Sequence, residues 1–288
     1  MRVAGLGLWI DARRANVQLV IPPCHAKFID GAAGGANALL PMDGELVLCV
    51  RNQPPPSALD GATRLCLTDI WELWLDRAGR YLFAIPEKLL PKRLVAIDND
   101  FRAGEVIGDF ASTDGAGLYP LQGMEILLFA NWLAGRGDLI LHAAGVAVND
   151  EGYAFAGVGG AGKSTLAAKL ARDPSVTVLG EDQVILRHQE GRFWIYGTPW
   201  HENPAMCAPL GVPLRKLFFV DRAVGHSRVP CTPADGVGRL LQTAFVPYYR
   251  PDAVSIILDR LALLAEQVPF YALGHRLDSD PMPLVSAA

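Results

Sequence analysis

Short runs in which apolar and polar residues alternate fill roughly the first 118 residues. Val17–Ile21, Glu45–Arg51, Ala62–Leu67 and Tyr81–Ile85 each read as a strand. Loops separate them: Gly31 to Asn37, and Asn52 to Ser57 with its three prolines. A β-rich N-terminal region spanning 1–118 is expected. Trp71 and Trp74 lie three apart, which predicts a shared face and a packed aromatic pair. The period then lengthens. Met124, Leu127, Leu128 and Leu133 predict a helix over Leu121–Leu133, ended by Gly135 and Gly137. The junction between the two parts is expected in Ser112–Tyr119.

From Leu139 the pattern becomes that of a buried sheet. Leu139–Val148 reads as a strand, Asn149-Asp150-Glu151-Gly152 as a turn, and Tyr153–Ala156 as the returning strand. Further strands are expected at Val176–Leu179, Val184–Arg187, Phe193–Tyr196, Lys216–Val220 and Phe270–Leu273. Thr232-Pro233 is an N-cap with a first-turn proline, opening a helix to about Ala244. Val254, Ile257, Leu258, Leu261 and Leu264 mark a second helix over Asp252–Gln267.

Composition narrows the class. The 288 residues are 51% hydrophobic, enough for a sizeable core, and the net charge is −4. That balance and the absence of any basic run argue against nucleic-acid binding. The five cysteines, with no C-x-x-C spacing, predict reduced thiols and no zinc site or disulfide framework. Met1 to Ile10 is too short and badly flanked for a secretory signal. No apolar run approaches the roughly 18 residues of a membrane span. A soluble cytoplasmic protein is expected.

Gly157-Val158-Gly159-Gly160-Ala161-Gly162-Lys163-Ser164 fits G-x-x-x-x-G-K-[ST], between a strand and a helix. A triphosphate is a dense group of anionic oxygens. Glycines let the backbone curl so that its N–H groups point inward at it. Lys163 supplies a point charge to the β- and γ-phosphates, and the Ser164 hydroxyl is placed for Mg²⁺. The helix that follows directs its positive end at the same phosphates.

Two neighbours extend the motif. If Val148 faces Tyr153 across the hairpin, continuing the register sets His142 opposite the start of the loop. Glu181 and Asp182 end a buried strand soon after the loop helix. Carboxylates there suit Mg²⁺ binding or acceptance of a proton from an attacking hydroxyl.

His142-Ala-Ala-Gly-Val, then Gly157 to Thr165, then Leu179-Gly-Glu-Asp182, resembles the catalytic region of HPr serine kinase/phosphorylase and its HPr-kinase-like relatives. Gly197-Thr-Pro-Trp-His201 with Pro213-Leu214 is similar to the relatives more than to HPr kinase itself. The resemblance covers about Leu121 to the C-terminus. It implies an α/β (α+β) protein in which 119–288 form a P-loop nucleotide-binding domain with a mixed sheet, related in its core to phosphoenolpyruvate carboxykinases. It implies ATP and Mg²⁺, with Gly157–Thr165 around the nucleotide, Lys163 on the phosphates and Ser164 on the metal. It assigns the acidic pair to metal binding and acid–base work, and places His142 near the transferred phosphoryl group. A protein or peptide serine is the implied acceptor, since such relatives include kinases of ribosomally made peptides, and assembly as a homo-oligomer is implied.

The chain departs from HPr kinase in two ways. Glu181 stands where that enzyme has an aspartate, and no Glu-Ile-Arg-Gly-Leu-Gly signature follows. The missing signature argues against reverse phosphorolysis and against HPr as substrate. Trp200 and His201 either line an acceptor pocket or form a packed turn. Three readings stand at this point: an ATP-dependent serine kinase, a nucleotide-binding regulatory module whose N-terminal region binds a partner, and a carboxykinase-like enzyme. The acceptor and the choice between ATP and GTP are not legible.

Overall fold

The computed structural model describes residues 1–29, 44–56, 59–85, 93–110, 119–221, 225–276 and 279–286. The predicted loop Gly31–Asn37 lies outside them, as do Ser57 and residues 112–118 of the predicted junction. Among the described residues the strands form two eight-stranded sheets. The fold is mixed α/β, of the α+β kind, with large mixed sheets.

The first sheet contains β1 (Arg2–Val3), β2 (Leu6–Asp11), β3 (Gly44–Asn52), β4 (Thr63–Leu67), β5 (Glu72–Leu75), β6 (Tyr81–Ile85), β7 (Arg93–Ile97) and β8 (Ala103–Gly108). Their spatial order is β1-β2-β3-β8-β7-β6-β5-β4, with β2, β3 and β8 mutually parallel. Period-two burial sets the register: Leu46, Leu48 and Val50 of β3 are buried while Val47 is exposed. Val17–Ile21 is not a strand; it precedes the short helix α1 (Pro23–Ala26), and Val20 and Ile21 stay exposed. Trp71 and Trp74 do not pair. Trp74 lies in β5 and packs with Leu82 and Leu94, whereas Trp71 joins the cluster of Leu73 and Phe83. Strand side chains alternate, so an odd spacing sends them to opposite faces.

Helix α2 (Glu125–Ala134) joins the two parts. Its Leu128, Phe129 and Trp132 share one apolar cluster with Leu6, Leu8 and Leu46 of the first sheet and with Ile140, Ile185 and Tyr196 beyond it. A buried ion pair lies just beyond that boundary, and one of its members reaches across it. Arg187 Nε donates to Asp138 Oδ2 at 2.8 Å, and Arg187 Nη1 donates to the Ala4 carbonyl. Both side chains are about 95% enclosed, at 5% and 4% exposure. Removing one partner strands a buried charge, so Arg187→Met is expected to cost about 3–5 kcal/mol of stability. Chemical denaturation measures this; a change below about 1 kcal/mol would show the pair to be dispensable.

The second sheet contains β9 (Leu139–Val148), β10 (Glu151–Ala156), β11 (Val176–Gly180), β12 (Gln183–Gln189), β13 (Arg192–Tyr196), β14 (Gly211–Val220), β15 (Ser227–Pro230) and β16 (Phe270–Gly274). Two long strands divide it into two layers. Residues Leu139–His142 of β9 pair with β12, whereas Ala143–Val148 pair with β10 and Gly145–Val148, on the other edge, with β11. β14 pairs first with β13 and then, in parallel, with β10 and β16. The layer that carries the glycine loop is therefore ordered β11-β9-β10-β14-β16-β15.

Both faces of that layer are covered, which explains its near-continuous apolar strands. Helix α3 (Lys163–Leu170) packs Leu166, Ala167 and Leu170 on Ala144, Val146, Phe155 and Phe218. Helices α4 (Pro233–Thr243) and α5 (Pro251–Gln267) pack Leu240, Ile257, Leu261 and Leu264 on Leu141, Ala143 and Phe219. The α4 cap forms as expected, with Thr232 Oγ1 accepting from the Asp235 N–H at 3.2 Å. A short helix α6 (Met282–Ser286) ends the described chain. Among the described residues, no helix is long and apolar enough to cross a membrane.

Candidate active site

The β9–β10 hairpin positions the site. Asn149 and Asp150 both have positive φ, at 50° and 62°, so the loop is a two-residue turn and Val148 pairs with Glu151. The sequence register, Val148 opposite Tyr153, is thus two residues off. The shift is even and preserves facing. Pairing runs to Ala143 opposite Ala156, and one further step sets His142 level with Gly157.

The glycine loop leaves β10 and turns into α3. Gly160 and Gly162 adopt φ of 75° and 107°, values that glycine reaches without a β-carbon penalty. Gly162 is the N-cap residue of α3, and no side chain caps the helix. The first-turn N–H groups, starting at Lys163, Ser164 and Thr165, lack intrahelical partners by construction. Val158 is 65% exposed, and a β-carbon on Gly159 or Gly160 would meet nothing within 4 Å. The space before the loop is open. Ala161 packs under it, 3.2 Å from a β-carbon placed on Gly157.

Lys163 is only 5% exposed. Its Nζ donates to the carbonyls of Gly157 at 2.8 Å and Val158 at 3.2 Å. Burial pushes its amine below the ordinary lysine range, and the Asp182 carboxylate draws it back up. The two groups therefore sense one another electrostatically.

The turn between β11 and β12 carries the acids. His142 Nε2 lies 2.9 Å from Asp182 Oδ1, and Gln183, next along the chain, pairs with His142 in the sheet. Asp182 Oδ2 accepts from Gln183 Nε2 at 2.6 Å. Both members of the His142–Asp182 pair stay accessible, at 37% and 45% side-chain exposure. Glu181 differs: burial, then the neighbouring charges of Asp182 and Glu202, push its carboxyl above the ordinary range. It holds a proton more readily than an isolated glutamate.

Thr198 and His201 brace this turn from beneath. Thr198 Oγ1 donates to the Gln183 carbonyl at 2.8 Å and lies 3.0 Å from His201 Nε2, so that nitrogen carries a proton. Burial pushes His201 down to about 4, against the opposing pull of Asp182. It is neutral at neutral pH. A β-carbon on Gly180 would sit 2.7 Å from His201 Nε2, so the imidazole abuts the acidic turn directly. Trp200 instead packs its ring 5.3 Å from Phe129. The sequence offered no local signal for Thr198 or Gln183 as supports, because both contacts depend on how β12 and the segment after β13 meet.

Among the described residues, no three or more His, Cys, Asp or Glu side chains are arranged to hold a metal ion. Mg²⁺ does not need such a set. It is commonly held by one or two protein oxygens plus phosphates and water. The exposed Ser164 hydroxyl and the accessible Asp182 carboxylate are donors of that kind.

No family model matches the sequence, and no curated protein matches it. Among solved structures, the Hpr(Ser) kinase/phosphatase from Coxiella burnetii aligns with a TM-score of 0.29 at 11% identity. The alignment covers 50% of this chain and 84% of that one. A likeness of that size carries no weight for the site, which stands on its own geometry.

Proposed function

We propose that the chain is a P-loop phosphotransferase that moves the γ-phosphoryl group of Mg²⁺–ATP to a serine or similar hydroxyl of a protein or peptide. The observation that carries this reading is the 2.9 Å His142–Asp182 contact next to the glycine loop. A module that only binds nucleotide has no need of an accessible carboxylate paired with a histidine there. Phosphoryl transfer needs a group that accepts the hydroxyl proton and donors that offset charge on the moving phosphoryl.

The roles follow from position. Gly157–Thr165 cradle the phosphates, and Lys163 turns from the loop carbonyls to the β- and γ-phosphates. Ser164 and Asp182 would hold Mg²⁺, which would offset negative charge on the phosphates. Asp182 takes the hydroxyl proton, and His142 orients that carboxylate. Glu181, with its raised pKa, serves as a proton-holding neighbour. In this reading the N-terminal region presents the acceptor. It borders the acidic turn: Lys27, just after α1, donates to the Cys207 carbonyl at 3.0 Å, and the next residue's N–H, that of Ala208, donates to the Leu179 carbonyl at the end of β11 at 3.2 Å. We place the domain boundary within Ser112–Tyr119, with a P-loop domain from 119 to 288.

The test is transfer of labelled γ-phosphate from ATP to peptides and proteins of the source cell. A labelled seryl product is expected. Failure with every acceptor, together with retained ATP binding, would favour the regulatory module.

A further inference from the structure

A cavity of about 260 Å³ opens in the N-terminal part, between β2, the segment before α1 and the residues that lead into α2. Leu8 and Leu19 line it, and so do Trp9 and Ile21, which are 48% and 50% exposed and mark its rim. Its size lies just below the span of drug-sized ligand sites, roughly 300–1,000 Å³. Such sites are mostly apolar, carry a few placed polar groups and favour the junctions between domains. This one meets the last condition, because α2 joins the two parts of the molecule.

Two further lining residues, His25 and Tyr119, bring the polar atoms. His25 is only 8% exposed, and its Nε2 lies 3.1 Å from Oε1 of Glu125, which is 1% exposed. A carboxylate accepts hydrogen bonds, so Nε2 carries the hydrogen and Nδ1 of that tautomer is an acceptor. Nδ1 is buried with no hydrogen-bond partner among the described residues. The Tyr119 ring packs against the imidazole, with centroids 4.8 Å apart. Burial, and then the Glu125 charge, push its phenol well above the ordinary range, so the hydroxyl keeps its hydrogen. That oxygen too is buried and reaches no partner at hydrogen-bonding distance among the described residues. Buried polar groups are nearly always satisfied, and an acceptor and a donor left over beside one cavity call for a reason.

The charges nearby select the head group. Glu125 is not alone: the buried Arg93 guanidinium feels its charge, and Arg93 Nη1 donates to the carbonyls of Tyr119 and Pro120 at 3.2 and 3.1 Å. The carboxylate and the guanidinium offset one another, so the cavity has no spare charge with which to pair an ion. Burying an unpaired ion is costly, whereas a hydroxyl can donate and accept at once.

We propose that this cavity binds a small neutral molecule with an apolar body and a hydroxyl head. The hydroxyl donates to His25 Nδ1 and accepts from the Tyr119 hydroxyl, and the body lies along Leu8 and Leu19 under Trp9. Both polar atoms are closed off from water, so the head reaches them through a turn of the Tyr119 ring, a rotamer-scale change of the kind common on binding. The site is separate from the glycine loop and stands or falls without it.

Titration of the full chain with octanol, octanoate and octylamine, followed by tryptophan emission, tests it. Octanol should shift the emission saturably and bind about tenfold or more tighter than either charged analogue. Trp9→Phe should remove most of that shift. Tyr119→Phe, which deletes one oxygen, should weaken octanol about tenfold while leaving the fold intact. His25→Leu should do the same, and because it strands Glu125 the tyrosine variant carries the test if the histidine variant folds poorly. Equal binding of the three heads would reduce the cavity to an apolar surface and overturn the inference. So would a preference for the acid or the amine, the lack of saturable octanol binding, or an unchanged affinity in Tyr119→Phe.

Discussion

Asp182→Asn is expected to keep ATP affinity within a few-fold of wild type and to lower phosphoryl transfer by roughly 10²–10⁴-fold, the usual worth of a positioned general base. The substitution is conservative in shape. Asn retains an oxygen for His142 Nε2 where Asp182 Oδ1 now lies at 2.9 Å. Its amide nitrogen would meet Gln183 Nε2, which now donates to Oδ2 at 2.6 Å. Gln183 Oε1 is buried without a partner, so a flip of that amide removes the conflict and supplies an acceptor. The fold should therefore survive, and only the proton-accepting capacity and charge are lost. Transfer that persists at wild-type rates would exclude Asp182 as the base. Loss of nucleotide binding along with transfer would mean that the carboxylate acts mainly through the metal.

Lys163→Met should weaken triphosphate affinity by about 100-fold, equivalent to about 2.7 kcal/mol. Methionine keeps much of the stem and removes the charge. Stability should change little, by about 1 kcal/mol or less, since water can reach the carbonyls of Gly157 and the exposed Val158 once Nζ is gone. Calorimetry with ATP and a thermal melt separate the two effects. Unchanged affinity in a folded variant would remove the loop from the phosphate-binding role.

Much of the site was legible because its signals are local. The loop motif, a turn opening at Asn149 and the acids after β11 each lie within a few residues of one another, although the expected four-residue turn is two residues long. The N-terminal sheet was less legible. β7 is buried at every position, and β2 lies in an almost unbroken apolar run, so neither shows alternation. Val17–Ile21 is rich in apolar and β-branched residues, yet it precedes Pro22 and Pro23 and no strand forms there. The parallel pairing of β10 with β14 joins segments about 60 residues apart, a contact that no local pattern announces. The same is true of His275, whose Nε2 comes within 3.6 Å of a β-carbon placed on Gly162. His201 was visible as a residue, but its neutral, braced state depends on a burial that only the assembled turn creates.

β9 is one unbroken strand held in two layers, with His142 at the step between them. Many enzymes close by sliding one packed layer over another. Sliding is barred here, because it would tear the ladder to β12 or the ladder to β10. The spacing between the histidine and the first glycine of the loop is then a rigid gauge. Under the proposed transfer reading, any movement that admits an acceptor and releases a product falls to the short connections at 157–162 and 181–182, and the rhythm of turnover is set by loops rather than by layers.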